Sequence, residues 1–83
     1  MSIEYLLVVF DGDNPRSVLA DGKMVGVTNH TLMLPADEYE ITLDGVGYTP
    51  TSQDVVLSGT TLVNAEVVTF TSTAAAAKGG TNA

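Results

Sequence analysis

No cysteine appears in the sequence, so it has no disulfide staple, no thiolate nucleophile and no cysteine-based zinc site. Tryptophan is absent too, and there is a single histidine, His30. Basic residues are nearly absent: Arg16, Lys23 and Lys78 stand against ten Asp and Glu, for a formal charge of −7. That balance repels phosphate, and the three cations do not cluster, so nucleic acid is excluded as a partner. No apolar run is long enough to span a bilayer, the longest near the start being Tyr5 to Phe10, so membrane insertion is not expected. The start has no basic segment, carries Glu4 inside its apolar run and lacks a small-x-small cleavage pattern, so it does not read as a signal peptide. The compartment stays unassigned; the default expectation is a cytoplasmic protein or one assembled in a particle.

The 83 residues suffice for one domain with a modest core, for which docking or oligomerisation would add stability. Val, Thr, Ile, Leu and Tyr dominate, and turn formers recur every eight to twelve residues, the spacing of an all-β sandwich or barrel. The expected architecture is a small antiparallel β-sandwich, immunoglobulin-like or transthyretin-like, of about seven strands over residues 1–71. Residues 72–83, rich in Ala, Gly and Thr, read as a flexible tail. Ile3 to Phe10 is apolar enough for both faces to be covered. Asp21-Gly22 is a two-residue hairpin turn. From Glu38 to Asp44, Tyr39, Ile41 and Leu43 alternate with polar residues, giving one buried and one wet face. A long last strand is expected from Thr61 to Thr71, its Val63, Ala65, Val67 side being the more apolar.

Ordered motifs run through the middle of the chain. They are Asp21-Gly22, Gly26-Val27-Thr28, Leu32-Met33-Leu34-Pro35, Tyr39-Glu40-Ile41 and Gly47-Tyr48-Thr49-Pro50. In order and spacing this stretch resembles the PEGA-type domain family. The tetrad that names that family is replaced here by Asp13-Asn14-Pro15-Arg16, and its usual proline after the Gly-x-Thr step by Asn29. The resemblance implies a compact β-sandwich, no catalytic activity and no cofactor, and a role in binding or spacing, often linked to surface layers or carbohydrate.

The residues themselves agree with a non-enzymatic chain. His30 has no nucleophile elbow or orienting acid beside it. Glu38 and Glu40 share the wet face of a strand in a chain too small for a deep sugar cleft. No metal site is expected; the nearest candidate is a loose calcium site from Asp11, Asp13 and Asp21, and the EF-hand pattern fails at Pro15, Arg16 and Gly22. The expected function is a non-catalytic interaction module docking to a protein partner or to itself. Alternatives are a structural subunit of a filament, shell or virion, and a carbohydrate or surface-layer binder using Tyr48, Asn29 and His30. The candidate partner-binding residues are Tyr5, Val8, Tyr48, Val67 and Phe70. Behind them lies an expectation about the two terminal runs: either they form exposed sheet edges open to strand addition, or they pair with each other inside the domain.

Overall fold

A computed structural model describes residues 3–12 and 14–73. Eight strands follow one another: β1 (Ile3–Phe10), β2 (Ser17–Ala20), β3 (Lys23–Val27), β4 (Thr31–Pro35), β5 (Asp37–Leu43), β6 (Tyr48–Thr49), β7 (Gln53–Leu57) and β8 (Glu66–Ser72). They form an all-β sandwich of two four-stranded sheets, ordered β4-β1-β8-β6 and β3-β2-β5-β7. Every neighbouring pair is antiparallel except β1 and β8.

Alternation decides which side of each strand is inside. Leu6, Val8 and Phe10 of β1, Leu32 and Leu34 of β4, and Val68 and Phe70 of β8 point inward from the first sheet. Val18, Ala20, Ile41, Leu43, Val55 and Leu57 meet them from the second, and together they make one core. Among the described residues, no buried side-chain nitrogen or oxygen lacks a hydrogen-bond partner.

The terminal strands are not edges. β1 and β8 lie side by side at the centre of their sheet, with Leu6 opposite Glu66 and Phe10 opposite Phe70. Hence neither offers a fully open ladder, and the pairing alternative describes this chain. The last strand is also shorter than expected at its start. Thr61 and Asn64 bond each other's main chain at 3.2 and 3.1 Å, which turns the chain and leaves Leu62 and Val63 exposed at the tip. β8 therefore starts at Glu66, and its buried side carries Val68 and Phe70 rather than Val67 and Thr69. Of the expected tail, Ser72 is the last residue of β8 and is buried, and the Thr73 N–H donates to the Gly47 carbonyl at 2.9 Å; residues 74–83 lie outside the described residues.

Local chemistry sets the turns. Asp21 and Gly22 have φ of 52° and 85°, the positive values that a tight hairpin turn needs. The Asp21 carboxylate accepts a 2.9 Å bond from the Glu40 N–H, tying this turn to β5. In β3, a Cβ on Gly26 would collide with the Leu32 side chain, so glycine lets the edge of one sheet close onto the other. The register shift between Val18 and Leu19 lies opposite this glycine.

Candidate functional site

The two outer faces of the sandwich differ in kind. On the second sheet, Glu38, Glu40 and Asp54 point outward, and Glu40 stands directly opposite Asp54. On the first sheet the outward positions of β1 are Ile3, Tyr5, Leu7 and Val9. Tyr5 faces Met33 of β4, and Leu7 lies between Thr31 of β4 and Val67 of β8. Val9 faces Thr69, and Thr49 of β6 faces Thr71. No outward strand position on this sheet carries a charge. Met33 and Val67 are 66% and 56% exposed, while Tyr5, Leu7 and Val9 are half-buried with no element of the described chain across them.

The expected partner-binding residues separate on this geometry. Tyr5 and Val67 belong to the uncharged outer face. Val8 and Phe70 are each 0% exposed and sit in the core, so neither can present a side chain to a partner. Tyr48 is half-buried, and its ring packs edge-on against Phe70 at 5.5 Å. Its hydroxyl accepts from the Leu43 N–H at 3.2 Å and donates to the Leu43 carbonyl at 3.0 Å. It is a latch that holds the Gly45–Pro50 loop against β5. Arg16 completes that end: its guanidinium lies 5.1 Å from the Phe10 ring centre and 6.0 Å from that of Tyr48, and donates to the Asp44 carbonyl at 2.9 Å.

The residues of the carbohydrate alternative are similarly placed. Asn29 takes φ of 65°, and its N–H donates to the Val8 carbonyl at 2.7 Å. Its side-chain amide donates to the Phe10 carbonyl at 3.0 Å and accepts from the Phe10 N–H at 3.1 Å. One residue thereby continues the ladder along β1 past the last β4 pair, Leu7 with Thr31. His30 is exposed in the turn that follows. Of the loose calcium set, Asp13 lies outside the described residues. Asp11 accepts from the Ser72 N–H at 2.6 Å, and Asp21 holds the hairpin at the other end of β2. The structure does not bring Asp11 and Asp21 together, and among the described residues no group of three His, Asp or Glu is placed to hold a metal ion. No helix of the described residues is long and apolar enough to cross a membrane.

The PEGA domain model matches residues 12–71, more than half of the chain. The chain belongs to the PEGA domain family. No curated protein and no solved structure matches it. The family motifs now have physical roles in this PEGA domain. Gly26 admits Leu32, and Thr28, wholly buried, accepts the Arg16 N–H at 3.0 Å. Tyr39 donates to the Pro35 carbonyl at 2.6 Å, and burial, with Asp37 and Asp21 nearby, pushes its phenol above its usual range.

The part Glu4 plays was not legible in the sequence, where it stands as a lone charge interrupting an apolar run. It points inward at 6% exposed, and its carboxylate accepts from the Thr60 N–H at 2.7 Å and the Thr60 hydroxyl at 2.6 Å. Thr60 Oγ1 in turn accepts the Tyr5 N–H at 2.7 Å. The Thr60 hydroxyl and N–H hold the Glu4 carboxyl below its ordinary value. A carboxyl depressed in the folded state stabilises fully above its unfolded pKa of about 4.3 and loses that contribution as pH falls through the lower folded value. Thermal melts of wild type and Glu4→Gln are therefore expected to differ most at neutral pH and to converge in acid. Parallel pH profiles would show that this carboxylate does not stabilise the loop.

Proposed function

We propose that this PEGA domain is a non-catalytic interaction module that docks through the uncharged outer face of the β4-β1-β8-β6 sheet. The observation that carries the reading is the contrast between the two outer faces. An antiparallel sandwich normally wets both, alternating polar with apolar positions. Here the second sheet interleaves Glu38, Glu40 and Asp54 with exposed Met24 and Val56, whereas the first carries no outward charge and exposes Ile3, Met33 and Val67 around half-buried Tyr5, Leu7 and Val9. Large contiguous apolar patches on soluble domains mark places where something binds. Removing such a face from water is favourable in proportion to its apolar area, and no charge here must be desolvated. Carbohydrate binding has less support, since the polar groups of Tyr48 and Asn29 are engaged with main chain.

Site-specific crosslinking tests the reading. A photo-crosslinking side chain is placed at Met33 on the uncharged face or at Val56 on the acidic one, in cells that make the protein. Both positions are exposed to similar degrees, 66% and 63%. Strong adducts from Met33 with little from Val56 are expected. Equal yields, or adducts from Val56 alone, would overturn the docking face.

A further inference from the structure

We propose that the occupant of the uncharged face is a second copy of this chain, packed face to face across a twofold axis; this rests on the reading of that face as the docking surface. The polar chemistry of the face is self-complementary. Its polar side chains are all hydroxyls: Tyr5, Thr31, Thr49, Thr69 and Thr71. Across a twofold axis each patch meets its own chemistry. A carboxylate or an ammonium there would meet its like, whereas a hydroxyl both donates and accepts and so can pair with its own kind. The apolar members meet apolar partners on the same terms.

Net charge selects the same arrangement. Each copy carries −7, and bringing two acidic outer faces together would set Glu38, Glu40 and Asp54 against their equals. Pairing through the first sheet puts the acidic faces outermost in a stack of four sheets. With packed sheets about 10 Å apart, those faces are then ~30 Å from each other. That is several Debye lengths at physiological salt, so the residual repulsion is screened.

Area sets the strength. Strand spacing of about 4.8 Å and a rise of about 3.3 Å per residue give the face roughly 400 Å² in projection. Both copies together bury on the order of 1,000 Å² once side-chain relief is counted, the lower end for specific association. The dimer is accordingly a weak one, in exchange with monomer at micromolar concentrations and above.

Sedimentation velocity over a hundredfold concentration range tests this, on wild type, Val67→Lys, Met33→Lys and the control Val56→Lys. Wild type is expected to move from the 8.6 kDa chain mass toward twice that value. Val67→Lys and Met33→Lys are expected to stay monomeric at the highest concentration, because the twofold axis introduces each lysine twice. Val56→Lys lowers the net charge equally and should dimerise at least as well as wild type, which separates loss of the face from a change in repulsion. Circular dichroism melts confirm that each variant folds, and with two face variants one misfolded protein does not remove the test. Wild type that is monomeric throughout overturns self-pairing. In that case Met33 adducts with a different protein keep the docking face, and their absence removes the face as well. A dimer that survives both face variants also overturns the proposal, and points to pairing along an open sheet edge.

Discussion

Truncating Phe70 to alanine is expected to cost about 3–5 kcal/mol, the range for deleting a fully buried aromatic side chain. Phe70 is the largest fully buried side chain of the described residues. It lies opposite Phe10 in the central β1-β8 pair and supports the Tyr48 ring edge-on. Its removal empties the middle of the core and takes away the surface on which the latch rests, so the Gly45–Pro50 loop should loosen with it. A domain of this length has roughly 4–12 kcal/mol of stability in all. The variant should therefore be partly unfolded near body temperature, with its urea midpoint sharply lowered and its urea slope nearly unchanged. Phe70→Leu keeps most of the volume and should lose clearly less. A loss below about 1 kcal/mol for Phe70→Ala would mean that the core closes over the gap, at odds with the packing found here. Any loss of docking in this variant then follows from loss of fold, which is why the face is tested at Met33 and Val67 instead.

The sequence was most legible where a single strand carries its own answer. Tyr39, Ile41 and Leu43 alternate so regularly with Glu38, Glu40 and Thr42 that the buried side of β5 follows from side-chain period alone. Asp21-Gly22 was equally plain, because few residues accept positive φ without strain. The ordered motifs carried the family, and the match over residues 12–71 bears that resemblance out. What could not be read was pairing between distant strands. Nothing within Ile3–Phe10 or Glu66–Ser72 states that they lie side by side and parallel; that choice belongs to the closing of two sheets around one core. The buried side of β8 was not legible for a related reason. Val63, Ala65 and Val67 form a more even apolar row than Val68 and Phe70, but the Thr61–Asn64 turn takes Val63 off the strand. The docking face depended on both points. Val67 and Tyr5 were picked out as residues on presumed edges, and they lie instead on the outward side of adjacent strands in the middle of one sheet, Val67 opposite Leu7 and Tyr5 opposite Met33. Val8 and Phe70 were picked out by the same logic and point the other way, since a shift of one residue reverses the face.

Asn29→Ala should be the most damaging substitution at an exposed position, about 2–4 kcal/mol, or a fall in Tm of roughly 10 °C or more. The side-chain amide takes both main-chain groups of Phe10, its N–H at 3.1 Å and its carbonyl at 3.0 Å, where β4 no longer reaches. Alanine leaves both of these part-buried groups without that partner, and each such loss costs about 1–3 kcal/mol before water recovers some of it. Alanine must also hold φ near 65°, which a side chain with Cβ resists by about 1–2 kcal/mol. The two contributions can be separated. Asn29→Gly removes the amide but accepts the backbone angle, so it should recover about 1 kcal/mol relative to alanine. Asn29→Asp keeps the acceptor for the Phe10 N–H but sets a second oxygen against the Phe10 carbonyl, so it should fall well short of wild type at neutral pH. The order expected in thermal melts is wild type, then glycine, then alanine. If Asn29 instead served an external ligand such as a glycan, alanine would leave the melt within a degree or so of wild type and abolish only binding. A fully stable Asn29→Ala protein would thus overturn the ladder role and return this residue to the surface chemistry from which its packing removes it.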